Sequence, residues 1–112
     1  MKATLLAALF LLAAASAQAG GDAGAGAQKS KACAACHGAD FNTPISADIP
    51  RLAGQHEDYL ARALSDYKSG ARKNPIMDGQ AGALSKQDIL DIAAYVSGLS
   101  GKLKTIPLQR FR

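Results

Sequence analysis

Cys33-Ala34-Ala35-Cys36-His37 is the stretch from which the rest of the chain can be read. Residues at i, i+3 and i+4 share one face of a helix, so Cys33, Cys36 and His37 point the same way. Two thiols so placed can add across the two vinyl groups of a porphyrin, and the imidazole beside them can reach the iron as its proximal ligand. The C-x-x-C-H spacing is the attachment signature of a c-type haem. Two cysteines in the whole chain limit the stoichiometry to one such haem.

Three plainer readings compete. A structural zinc site would need four soft ligands, here Cys33, Cys36, His37 and His56, and the adjacent pair 36 and 37 would crowd a tetrahedron. A thioredoxin-like dithiol expects a strand-helix-strand context, and no such pattern is present. A disulfide between Cys33 and Cys36 would close a loop too short to stabilise much.

Working outward toward the N-terminus, Lys2 precedes an apolar run from Leu5 to Ala15, followed by Ala15-Ser16-Ala17 and Ala17-Gln18-Ala19. This is the pattern of a secretory signal peptide, with cleavage expected after Ala17 or Ala19. The run is too short to span a bilayer. Residues 1–19 are therefore assigned to a leader, 20–27 to a flexible lead-in, 28–100 to the haem domain and 101–112 to a basic tail. A periplasmic location follows, with no transmembrane segment in the mature chain. A domain of this size builds only a modest core, and this one lacks tryptophan and has three Tyr and three Phe. A porphyrin packed on both faces by apolar side chains would supply the missing core.

The formal net charge is +4, and it falls by one when the leader carrying Lys2 is removed. The lysines are dispersed and no groove-reading motif is present, which excludes a nucleic-acid binder. A first helix is expected to begin between Asp22 and Ala27 and to run without a break into Cys33–His37, with Gly38 as its stop. Residues 39–54, with Pro44 and Pro50, read as an irregular loop against the haem. A haem-ligating His usually donates its second ring N–H to a carbonyl, and Pro50 is the candidate acceptor. Pro50 is equally well read as a simple turn residue.

Residues 55–69 read as an amphipathic helix carrying Leu60, Leu64 and Tyr67 and stopped by Gly70. His56, at its start, is read as an ordinary exposed histidine rather than a ligand. Residues 71–83 read as a second irregular stretch, with Met77 bracketed by Pro75 and Gly79 so that its thioether can project toward a metal. A methionine used as core filler would more often lie on a helix face. The last helix spans 85–97, with Ser85 and Asp88 as a capping box and Ile89, Ile92, Ala93, Val96 and Leu99 as its apolar stripe.

CAACHG at 33–38, RLAGQHEDYL at 51–60, SGARKNPIMDGQ at 69–80 and SKQDILDIAAYVSGL at 85–99 fall in an order that resembles a class I cytochrome c. The chain is most similar to the small bacterial single-haem periplasmic type and to one half of the related dihaem proteins. The early C-x-x-C-H argues against four-helix bundles of the cytochrome c-prime kind, which carry it near the C-terminus. The resemblance implies an all-α fold of three to four helices and irregular loops around one covalent haem c. It implies thioethers at Cys33 and Cys36, His37 as proximal ligand, Pro50 as carbonyl partner of that histidine, and Met77 as distal ligand. Phe41 departs from the pattern, because such proteins often carry Gly there, and the loop between His37 and Pro50 is expected to follow its own path.

The implied function is one-electron carriage by a monomer between a donor and a terminal oxidase or reductase, with no catalytic residues. Lys29, Lys31, Arg51, Lys68, Arg72 and Lys73 are candidates for a basic collar around the haem edge. The alternative is a haem-based peroxidase or gas sensor, which requires a displaceable distal ligand.

Overall fold

The computed structural model describes residues 20–104, so the expected leader (1–19) and the end of the basic tail (105–112) lie outside the described residues. Five helices follow one another: α1 (Ala23–Lys29), α2 (Lys31–His37), α3 (Glu57–Ser69), α4 (Pro75–Gly82) and α5 (Lys86–Ser97). No strand occurs among the described residues.

α1 starts at the early end of the expected range. Asp22 caps it by accepting the N–H of Ala25 at 3.1 Å. The lead-in assigned to residues 20–27 is thus helical from Ala23 onward, and it is packed. A Cβ on Gly26 would lie 1.9 Å from the backbone oxygen of Asp91. The glycine that lowers helix propensity here is what lets α1 touch α5. The single helix expected through residue 37 is two helices jointed at Ser30, whose ψ of 1° departs from helical backbone. The joint is mild, since Ser30 N still donates to Gly26 O at 2.9 Å and Ala34 N to Ser30 O at 3.2 Å. A buried serine with little helix preference is a reasonable place for such a change of direction.

Gly38 ends α2 at φ 90°, where any Cβ would meet Thr43 O at 2.3 Å. α3 ends at Gly70 in the left-handed region, as expected. α5 carries the expected capping box between Ser85 and Asp88. Its stripe of Ile89, Ile92, Ala93 and Val96 is buried. α5 is the centre of the molecule, packing on α1 and on α3, while α3 also packs on α4.

The core joins Leu60 of α3 to Ile92, Ala93 and Val96 of α5, and the loop contributes Phe41 and Ala53. Phe41 is the one non-glycine residue described with positive φ, at 54°. That backbone costs a side-chain-bearing residue about 1–2 kcal/mol. Burying a phenylalanine returns about 1.5–3 kcal/mol, and the ring also meets Tyr95 edge-on at 6.2 Å between centroids. Burial wins, so Phe41 holds a backbone conformation that suits glycine and plugs the loop into the core. Its carbonyl then accepts the N–H groups of Leu52 and Ala53 at 2.8 and 2.9 Å, which draws the following turn inward.

Among the described residues no helix is long and apolar enough to cross a membrane.

Candidate haem site

Cys33, Cys36 and His37 share one face of α2, as their spacing requires. Both cysteines are unpaired and half-buried. Burial pushes the Cys33 thiol up from its ordinary pKa. Ile45 N donates to Cys36 O at 3.0 Å, so the loop after α2 folds back over its end.

His37 is buried, with 6% of its surface exposed. Its Nδ1 lies 2.9 Å from the carbonyl oxygen of Pro50. A carbonyl can only accept, so Nδ1 carries the proton and donates it. The Nε2 lone pair is then left for another partner, and the ring cannot rotate without losing the bond. This tautomer and orientation are what a metal-ligating imidazole needs. The carbonyl is positioned in turn by a loop that is tied down on several sides. Asp40 Oδ1 accepts from Asn42 N and Thr43 N, both at 2.9 Å, and these bonds hold its carboxyl below the usual carboxylate range. Arg51 Nε donates to Asn42 O at 2.9 Å, and Lys102 N donates to Asn42 Oδ1 at 2.8 Å.

Met77 is placed differently from expectation. Residues 71–83 are not irregular throughout, because α4 occupies Pro75–Gly82 and Met77 is its third residue, half-buried. The physical cause was present in the residues. Asn74 is an N-cap whose Oδ1 accepts from Ile76 N and Met77 N, both at 3.0 Å. Pro75 sits in the first turn, where its missing N–H costs nothing. Asp78 Oδ1 accepts the N–H of Asn74 at 3.1 Å and closes the cap. Reading Pro75 and Gly79 as loop markers missed that Asn-Pro opens helices as readily as turns.

The collar of cations is only partly free. Lys29 is committed to Asp88 at 2.8 Å and Asp91 at 2.6 Å, so it belongs to the α1–α5 contact and not to a collar. Lys68 Nζ donates to Gly82 O at 3.1 Å, linking α3 to the end of α4. His56 is exposed and makes no side-chain cap, which agrees with its ordinary reading.

Residues 22–100 match the family model described as cytochrome c. The chain belongs to the cytochrome c family. It is 51% identical over 79 residues to cytochrome c4 of Pseudomonas aeruginosa, an alignment covering 70% of this chain and 39% of that protein. It is 42% identical over 80 residues to cytochrome c-554(548) of Halomonas halodenitrificans, covering 69% of this chain and 95% of that protein. The crystal structure of reduced recombinant cytochrome c4 from Pseudomonas stutzeri superposes with a TM-score of 0.68 at 43% identity, covering 74% of this chain and 48% of that one. The chain therefore spans less than half the length of these cytochrome c4 relatives and nearly the whole of the shorter one. The all-helical architecture is that of a class I cytochrome c.

Family membership implies one covalently bound haem c. The residues present fit it. Two unpaired thiols and a buried imidazole whose proton is held on Nδ1 lie on one short helix. That donor set suits thioether formation and axial ligation, and it is too small for a closed zinc site. Among the described residues no group of three or more His, Cys, Asp or Glu could hold a metal ion by itself.

Proposed function

We propose that this chain is a periplasmic one-electron carrier built on a six-coordinate haem c, with Cys33 and Cys36 as thioethers, His37 as proximal ligand and Met77 as distal ligand. The observation that carries the reading is the 2.9 Å bond from His37 Nδ1 to Pro50 O. It commits the imidazole to one tautomer and leaves Nε2 as a ready base on the helix that bears both thiols. The bound haem supplies the reversible one-electron iron couple.

The residues around it do the rest. The Pro50 carbonyl keeps the imidazole oriented and raises its basicity, favouring the ferric state. The Met77 thioether is a soft ligand that favours the ferrous state and raises the potential. With His37 and Met77 both holding the metal, no position would be left for peroxide or a diatomic gas, and the chain would make and break no substrate bond. It is not an enzyme on this reading. A leader at residues 1–19 would deliver it across the inner membrane, and as a monomer it would pass electrons between a donor and an oxidase or reductase through a small, brief interface.

The test is Met77→Ala. The variant should retain its haem through denaturing electrophoresis, lose the weak near-infrared sulfur-to-iron band, fall in potential and bind exogenous ligands. An unchanged potential and band would remove Met77 from the iron. A wild-type ferric protein that already lacks the band would favour the peroxidase or sensor reading instead.

A further inference from the structure

Arg72 lies in the loop between α3 and α4, five residues before Met77. Its guanidinium carbon stands 4.8 Å from the centre of the Tyr67 ring. Hydrogen bonding with the Tyr59 hydroxyl, more than any other influence, favours its charged form. Tyr59, Ala63 and Tyr67 recur every four residues and so share a face of α3. The backbone N–H of Arg72 donates to Asp66 O at 3.0 Å, which anchors the loop from which the side chain springs.

This cation is held but not neutralised. The ion pairs among the described residues join Lys29 to Asp88 and Asp91, and Arg62 to Asp66. Asp66 acts on Arg72 only as a weaker, more distant charge. Asp78, the acid that α4 contributes, is occupied by Asn74 N. A guanidinium lying over an aromatic face can spend one N–H on a tyrosine hydroxyl and still offer others in its plane to a carboxylate. The other two arginines described are less suited. Arg62 is paired, and Arg51 spends its Nε on Asn42 O.

We propose that Arg72, held over the Tyr67 ring, is the positioning residue for a propionate carboxylate of the haem. The inference rests on the haem reading above. A porphyrin fastened at Cys33 and Cys36 by its vinyl-bearing pyrroles carries both carboxylates on its remaining two pyrroles, away from α2. Some cation of the chain must meet them there or leave them to water. Arg72 belongs to the loop that leads into the Met77 helix, and of the two described arginines in no ion pair it is the one held by an aromatic face, Arg51 being turned onto the Asn42 carbonyl.

The test is the midpoint potential measured against pH for the wild-type holoprotein and for R72Q, R72K and R51Q, with covalent haem verified by intact mass. An arginine at hydrogen-bond range lowers a carboxylate pKa by about one to three units. The step that the propionate imposes on the potential–pH curve should therefore move upward by about that amount in R72Q. R72K, which keeps the charge but loses the fork, should move it less, and R51Q should leave it in place. If R72Q yields no holoprotein, the upward movement in R72K carries the test. An unmoved step in both Arg72 variants overturns the proposal, as does movement in R51Q instead. If the step stays and only the salt dependence of electron exchange changes, Arg72 meets a carboxylate on a partner protein and the proposal fails. A colourless wild-type protein with free thiols would overturn the haem reading as well, whereas a red protein with an unmoved step would overturn this one alone.

Discussion

Where α1 meets α5, two of the bonds join residues more than sixty positions apart; where α3 turns into α4, most join near neighbours. On the first side Asp91 accepts from Asp22 N at 2.8 Å, from Lys29 Nζ at 2.6 Å and from Gln87 Nε2 at 2.7 Å. The helix bearing the two thiols is thereby tied, through α1, to the most buried helix of the molecule. On the second side Met77 is positioned by Asn74 and Asp78, within the same short helix and its cap. α4 buries only Ala81 completely, and Ile76 beside Met77 is 64% exposed. The attachment side is a finished piece of protein. The Met77 side has a correct local shape, packs on α3 and is linked to it by the Lys68–Gly82 bond, but it buries little side chain of its own.

The largest effect on this contrast should come from Gly26→Ala. The new Cβ would overlap the Asp91 carbonyl, so α1 must move off α5. We expect a loss of about 1–3 kcal/mol from overpacking, read by denaturant unfolding, with reduced covalent haem yield in cells. A fully stable variant would mean that α1 is not needed to hold α2.

Next is the acid limb of stability. Asp22 N, Lys29 and Gln87 hold the Asp91 carboxyl down to about 2 from an ordinary 3.8. Lys29 and the Ser85 cap do the same for Asp88, also to about 2. A depressed folded-state pKa contributes stability that is complete above the unfolded value and is lost as pH falls through the folded one. Thermal melts of the wild type should therefore fall between pH of about 4 and about 2. Asp91→Asn should lower stability at neutral pH and flatten that fall. A melt profile parallel to the wild type over this range would remove Asp91 from the clamp.

The smallest effect should be Asn74→Ala, which removes the side-chain acceptor for Met77 N and costs about 1 kcal/mol. Because α4 packs on α3 alone among the helices with substantial contacts and buries only Ala81 fully, the loss should be local. The near-infrared band should vanish at lower temperature than in the wild type, while α5 melts where it did before. Joint melting of both sides would erase the contrast.

Much of this was legible in the residues. C-x-x-C-H, the Gly70 stop and the Ser85–Asp88 capping box are local devices, and each appears where its residues stand, because a helix face or a cap depends on spacing alone. Asn74-Pro75 was legible too, although Pro75 and Gly79 pointed toward a loop. Three features were beyond any local pattern. Phe41 occupies a left-handed backbone position because a distant Tyr95 and the core reward its ring. Gly26 weakens its own helix so that a residue far along the chain can approach. Asp91 gathers the Asp22 amide and the Lys29 ammonium from the other end of the described chain. Spacing along the chain sets which side chains can point together. The free energy of burying a ring, closing on a carbonyl or pairing a carboxylate with a distant amide and ammonium exists only once remote segments have been brought into contact.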